Sequence, residues 1–455
     1  MEEPNSEKLL EIGKKAVEKA IRLGADEAEA FLSEGYLNSV GIQRAQIVGC
    51  MSRWEHGIGI RVAYNKAVGF AYTTILDEKV IDETIEKALK FAKANKPDDN
   101  WPGFSSLKDF PEIKNVYDKK IAEAPPEEIV SDTSTMLETA LNYDKRVLPI
   151  GGGIQTSHIC QAIVNSNGVE ALDKGTGIAC YLVTLAHEAT EVTPVCFEYN
   201  VERIWKIDPE WVGREAAKMA VSSLKARKIE SGKMSVILNE TALASLLYYT
   251  LISAVKADAV QREQSALKGK IGQQIASKHL TVYDDGTLEG GLNSAKFDGE
   301  GTPMQKTLII ENGVLKAFLY DRYTAKKDNV ESTGNSIREG LEAYMKTPVL
   351  EATNFVISPG TKSNDELIEE IENGLLVFGV QGAHSSNPAT GEFSVVATPA
   401  WKIENGQIAY PVKGAMIAGT IYEVLQNISA IGKTPRKMEK VVTPWIRVEN
   451  VNVIG

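Results

Sequence analysis

Gly57-Ile58-Gly59-Ile60-Arg61-Val62, followed by Asn65-Lys66 and then by Ala67-Val68-Gly69-Phe70-Ala71-Tyr72, is the stretch from which the fold class is read. Both runs alternate with period two, the spacing of a strand whose successive side chains point to opposite faces, and Asn65-Lys66 between them reads as a two-residue turn. Working toward the N-terminus, Ala28 to Leu32 and Ser39 to Val48 also read as strands. Before them Leu9, Ile12, Ala16, Ala20 and Leu23 recur at helical spacing, with Ser6 placed to cap that helix and Gly24 to end it. Toward the C-terminus, an amphipathic helix over about Glu78 to Ala94 covers the small antiparallel sheet, and Asn95 to Pro126, rich in Pro, Asp and Gly, reads as a long surface connection.

The pattern resumes with a helix from Glu127 to Tyr143, strands at Val147 to Thr156 and Ile159 to Asn165, a Ser166-Asn167-Gly168 turn, and a strand over Ile178 to His187. Asp208-Pro209 opens a helix running through Lys225. Sheet flanked by helices makes residues 1–225 an α+β unit, and residues 226–455 read as a β-rich second domain. Within that domain Ser235 to Leu238 is a short strand, Thr241 to Val255 a charge-free apolar helix, and Asp284-Asp285-Gly286-Thr287 a loop. Leu308 to Leu315 and Trp401 to Ile408 each set Asn-Gly between apolar runs, two hairpins expected in one region. Duplication and chance recurrence of a favoured turn account for them equally well.

A chain of 455 residues holds two or three domains or one large core, and 43% hydrophobic with 24% charged residues is the composition of a folded globular protein. A net charge of −11 withholds the positive field that nucleic-acid phosphates require, so no nucleic-acid partner is expected. The apolar stretch Thr241 to Val255 is shorter than the ~20 residues of a membrane span, and Met1-Glu2-Glu3-Pro4 opens acidic, unlike a secretory signal. The expectation is a cytoplasmic protein with no membrane partner. Cys50, Cys160, Cys180 and Cys196 form no C-x-x-C pair and read as reduced, buried core thiols.

Five histidines make any histidine-dependent site easy to audit, and no two are close in sequence. His187-Glu188-Ala189-Thr190-Glu191 is a fragment of a zinc-protease motif with glutamate where the second imidazole is needed, so it reads as a solvated strand end. Neither Gly57-Ile58-Gly59 nor Gly151-Gly152-Gly153 lies between a strand and a helix as a phosphate loop must, and no G-x-S-x-G elbow occurs. Gly382-Ala383-His384-Ser385-Ser386-Asn387 brings His and Ser together in a glycine-rich loop, which reads as a turn and not as a triad.

Phe297-Asp298-Gly299-Glu300-Gly301-Thr302-Pro303, the first Asn-Gly hairpin, Phe318-Leu319-Tyr320-Asp321-Arg322-Tyr323-Thr324-Ala325 and Ser332-Thr333-Gly334-Asn335 follow one another in the order of the TldD/PmbA family, also called modulators of DNA gyrase. Gly379-Val380-Gln381-Gly382, Thr390-Gly391-Glu392-Phe393-Ser394, Tyr410-Pro411-Val412, Ile417-Ala418-Gly419-Thr420 and the N-terminal glycine strands extend the resemblance over nearly the whole chain. The resemblance implies a two-subunit metalloprotease in which a TldD-type subunit holds zinc through H-E-x-x-x-H and a later cysteine, while the TldE (PmbA) type lacks them. Here Tyr248, Tyr249 and Ser253 stand at the motif positions, and Gly432 to Val442 contains no cysteine. The chain is therefore similar to the TldE/PmbA type, with no catalytic or metal residues and no cofactor of its own, inactive alone, and with zinc expected in a TldD-type partner.

The resemblance further implies a homodimer, or a heterodimer with that partner, acting on unfolded or extended peptide. The alternative is a self-dimerising, non-enzymatic peptide-binding or regulatory protein. Core packing on an amphipathic helix is the expectation for Tyr248 and Tyr249. Gly382, His384, Ser385, Ser386 and Asn387 are the candidates for a substrate channel, where glycines let a peptide backbone approach and pair with a strand, unless those glycines serve turn geometry alone.

Overall fold

The computed structural model describes residues 6–106 and 108–455; the expected cap by Ser6 concerns a side chain outside the described set. Helix α1 (Ser6–Arg22) precedes strands β1 (Glu27–Gln43), β2 (Gln46–Tyr64) and β3 (Ala67–Thr73) and helix α2 (Glu78–Ala94). Asn65 and Lys66 both take left-handed φ, 48° and 64°, and close a β2–β3 hairpin with Tyr64 opposite Ala67. The expected strand over Ser39 to Val48 is instead the tip of a longer hairpin. Its turn is Arg44-Ala45, at φ 48° and 60°, which neither glycine nor asparagine announces.

After α3 (Lys119–Ala122) and α4 (Pro126–Tyr143) come β4 (Val147–Asn165), β5 (Glu170–Glu188), β6 (Glu191–Val192), β7 (Cys196–Glu202) and α5 (Pro209–Ser222). The two strands expected between Val147 and Asn165 are one, because alternation persists through Ser157-His158 with His158 on the buried side. Likewise β5 starts at Glu170 and not at Ile178. The result is a seven-stranded sheet in the order β3-β2-β1-β4-β5-β6, with β7 also on β5. Helices cover one face of it. Ala30, Leu32, Ile58, Ile60, Ala162 and Val164 pack under α1 and α2, and Val40, Ile154, Cys180 and Leu182 under α4 and α5. A Cβ on Gly69 would stand 2.1 Å from the Ala88 carbonyl oxygen, so glycine is what lets α2 lie this close to β3.

The second half is built on a nine-stranded and a six-stranded sheet, with β8 (Gly232–Leu238) inside the larger one, and the molecule is α+β with a β-rich C-terminal region. Both Asn-Gly turns form, at Asn312-Gly313 and Asn405-Gly406. They lie in different sheets, so the one region expected for them is two. The expected single apolar helix is also two pieces, α6 (Glu240–Tyr249) and α7 (Leu251–Ala254), broken where Thr250 departs from helical geometry at φ −128°, ψ −83°. Three of the cysteines are buried as expected, whereas Cys50 is exposed on β2.

A buried ionic junction joins the halves. The Arg61 guanidinium donates twice to Glu29, both at 2.8 Å, Arg338 donates to the same carboxylate at 2.5 Å, and Glu300 stands 3.8 Å from Arg61. Asp298 accepts backbone N–H bonds from Glu300, Thr302 and Ser336, which folds Asp298 to Thr302 into a loop facing β1 and β2. Burial and the neighbouring Glu300 carboxylate push Asp298 above the ordinary aspartate range.

Candidate functional site

Two cavities separate the helix-free face of the first sheet from the second half of the chain. The larger, about 660 Å³, has Tyr181 of β5 and Phe197 and Tyr199 of β7 on one wall and Ala244, Ser245, Tyr248 and Tyr249 of α6 on the other, with Met438 to Val441 at one end. Ring centroids run 6.3 Å from Tyr181 to Phe197 and 5.1 Å from Phe197 to Tyr199, and across the gap Tyr248 and Tyr249 meet edge to face at 5.0 Å. The expectation that Tyr248 and Tyr249 pack in the core fails: they are 37% and 38% exposed. Leu243, Leu246 and Leu247 supply the buried side of α6, and the two tyrosines fall on the side that faces the cavity. The smaller cavity, about 420 Å³, has the charged side chains Asp173, Arg203, Asp298 and Arg338 among its lining, and Val201, Leu292 and Lys440 border both.

The larger cavity is where the resemblance would place zinc, and the residues present do not fit that ion. Among the described residues no group of three or more His, Cys, Asp or Glu side chains is arranged to hold a metal. Burial pushes the Tyr248 phenol up, so it remains a neutral phenol and not an anionic ligand. The region also contains a cation already: the Lys440 ammonium lies 5.8 Å from the Tyr248 ring centre, 2.5 Å from Glu339 and 3.7 Å from Glu351. Positions five apart on an unbroken helix point about 140° away from each other, so a pair such as 248 and 253 converges only where the helix breaks. That break is present at Thr250, but Ser253 is not among the residues that line the cavity.

The loop carrying the channel candidates touches the same helix. Gly382 takes a left-handed φ of 93° and starts a single turn, Ala383–Ser385, that sets the His384 ring 6.4 Å from Tyr249. Ser385 donates its hydroxyl to the Gly382 carbonyl at 2.7 Å, and Asn387 accepts from the Ala389 amide at 3.0 Å, so both side chains also serve the turn. The Ser386 hydroxyl is buried without a partner. His187 is exposed next to the end of β5, and Glu188, the last residue of the strand, pairs with Arg146 and Lys225.

Three family models match consecutive parts of the chain: PmbA/TldA metallopeptidase domain 1 over residues 28–95, the central domain over 119–224 and the C-terminal domain over 231–455. An uncharacterised protein of Methanocaldococcus jannaschii is 32% identical over 433 residues, 94% of this chain and 98% of its own. The chain belongs to the PmbA/TldD metallopeptidase family. A metalloprotease of the same organism is 30% identical over 427 residues, 92% of each chain. The crystal structure of TldE from Thermococcus kodakarensis superposes with a TM-score of 0.91 at 30% identity, covering 99% of both chains.

Sequence reasoning missed the sheet side of this PmbA/TldD cavity. Tyr181, and Phe197 with Tyr199, sit at strand spacing on the face opposite the core residues Cys180 and Leu182. That signal was available: aromatic side chains alternating on the side of a strand that no helix covers. Across the strands, Gly49, Gly41 and Gly153 lie in register with Tyr181 and Tyr199, and Met51, Ser39, Gln155, Ala179 and Val201 form the adjacent row. The glycine row leaves a low floor leading to the aromatic wall. Among the described residues no helix is long and apolar enough to cross a membrane.

Proposed function

We propose that this chain is the non-zinc subunit of a two-subunit TldD/TldE-type peptidase in the cytoplasm. It shapes the channel for unfolded or extended peptide while a zinc-bearing partner performs hydrolysis. The observation that carries this reading is the occupancy of the motif region: Tyr248 and Tyr249 line the cavity where metal ligands would stand, with the paired Lys440 ammonium beside them. Hydrolysis needs an imidazole-held metal and a carboxylate to take the proton of water, and this arrangement offers neither. Aromatic walls over a floor of small residues suit a peptide read by its backbone and apolar side chains, with His384 and Tyr249 at the rim.

Co-expression with a zinc-bearing relative tests this. The pair should co-purify, hold zinc only in the relative by elemental analysis, and cleave an unfolded peptide that neither subunit cleaves alone. His384→Ala, which removes the ring facing Tyr249, should lower cleavage by the pair while leaving assembly and melting temperature unchanged. One tightly held zinc in this chain, with activity lost on chelation, would overturn the reading.

A further inference from the structure

We infer that the larger cavity is a subsite for one cationic side chain, lysine or arginine, of an extended peptide, held between the aromatic walls with the Glu439 carboxylate as its counter-ion. The inference rests on the peptide-channel reading and adds a charged position to it.

A cation is attracted to a ring face from within about 6 Å of its centre, and several rings set round one space recognise an ammonium group together. Phe197 stands between Tyr181 and Tyr199, at 6.3 and 5.1 Å, and Tyr248 with Tyr249 closes the other side. One such contact already exists, for the Lys440 ammonium lies 5.8 Å from the Tyr248 ring centre. Among the described residues no cation stands over Tyr181, Phe197, Tyr199 or Tyr249, so those faces are open to one from outside.

The surrounding charges favour a cation over an apolar side chain. In the hairpin from Arg436 to Thr443 every basic group is already paired: Arg436 with Glu198 at 2.7 Å, Lys437 with Glu202 at 2.5 Å, and Lys440 with two carboxylates, Glu339 and Glu351. Glu439 sits at the tip of that hairpin with a left-handed φ of 53°, is exposed, lines the cavity and has no ion pair among the described residues. Its charge reaches the wall, since it adds to the burial that pushes the Tyr199 phenol up. An apolar side chain filling the cavity would strip water from that carboxylate and leave it uncompensated. A lysine or arginine head supplies the missing ion pair while its methylene stem lies along the rings.

The test uses the full-length chain alone and a short labelled peptide, uncharged except for one lysine, beside a copy with norleucine in that place. By fluorescence anisotropy the lysine peptide should bind about ten-fold tighter. Glu439→Gln, and Phe197→Leu, which keeps apolar area and loses the ring, should each cut that preference about three-fold, with unchanged circular dichroism spectra. Glu404→Gln, at an exposed position outside the cavity, should leave it as it is, which separates a subsite from the attraction of any basic peptide to a chain of net charge −11. Equal affinity for the two peptides, binding of neither, or equal loss from Glu404→Gln overturns the inference. Cleavage of both peptides alike by a reconstituted pair would overturn it and leave the peptidase reading standing. A lysine preference in a chain that supports no zinc-bearing relative would end the peptidase reading and leave the subsite.

Discussion

Replacing Glu29 by Gln removes one charge from the junction between the halves and leaves its shape intact. The wild-type carboxylate accepts from Arg61 at 2.8 Å twice and from Arg338 at 2.5 Å, with 6% and 0% of those side chains exposed. Burial works to raise the Glu29 carboxyl, but the two guanidinium groups outweigh it and hold it below the ordinary range. In Glu29→Gln two buried guanidinium groups face each other, with the Glu300 carboxyl 3.8 Å from Arg61 and itself raised by burial. An ion pair at ~4 Å and an effective dielectric constant of about 20 is worth about 4 kcal/mol, and stripping one member from a buried pair costs about 3–5 kcal/mol. At about 2 °C per kcal/mol for large domains, the melting temperature should fall by about 6–10 °C.

Adding Arg338→Met should restore part of the loss, because Arg61 and Glu300 then balance one to one; the bonds Arg338 makes to the Gly299 and Lys346 carbonyls stay lost. A lowered carboxyl stabilises above the unfolded value near pH ~4.3, and that stabilisation disappears as pH falls through the folded one, so wild type and variant should converge in acid. Differential scanning calorimetry at pH 7, and then at steps downward from pH ~4, measures both effects, with the difference closing only well below pH ~4. A Glu29→Gln chain melting within about 1 °C of wild type at pH 7 would show that water reaches the junction and that the argument is wrong.

Asp284 should titrate with the opposite sign. Burial pushes it to about 6 despite bonds from Thr353 and Asn335, so between pH ~4 and ~6 the folded chain keeps a proton that the unfolded chain has released, and stability should decline by roughly 2 kcal/mol across that window. Urea midpoints at pH 4.5 and 6.5 should show that decline in wild type and a flatter slope in Asp284→Asn. Gly69→Ala should cost about 1–3 kcal/mol by forcing α2 off β3, a loss readable as a lower midpoint with an unchanged m-value. Gly151→Leu, two residues before Gly153 on the same side of β4 and opposite Val183, where a Cβ meets nothing closer than 4.0 Å, should fold normally yet reduce peptide cleavage by a reconstituted pair; normal cleavage would remove that position from the proposed channel.

The elements that sequence read well are those whose boundaries carry their own chemistry. Asn65 and both Asn-Gly turns are residues that accept left-handed φ, and α2 ends where Asn95 leaves helical geometry. The misreadings have the complementary cause. Arg44 and Ala45 take the same φ region with no local preference for it, held there by pairing along β1 and β2. Thr250 breaks an apolar run that periodicity continues, and a hydroxyl bond back to the Leu246 carbonyl marks the place only in three dimensions.

The site divides along the same line. Motif spacing led to Tyr248, Tyr249 and Ser253, but a spacing cannot say which way a side chain points, so two cavity-lining tyrosines read as core. Their opposite wall comes from β5 and β7, and the end between them from Met438 to Lys440, segments brought together only by folding. A protein that needed α6 for stability alone could place leucine on every side of it. Here α6 keeps its leucines on one side and presents two aromatic rings to three others across an open space, with a paired lysine held in the same region. Exposed aromatic surface of that kind is opposed by the hydrophobic effect and retained where something covers it. In a chain without metal donors at that position, an aromatic cavity kept open is what supports the proposed reading, in which it holds an extended peptide for a zinc-bearing partner.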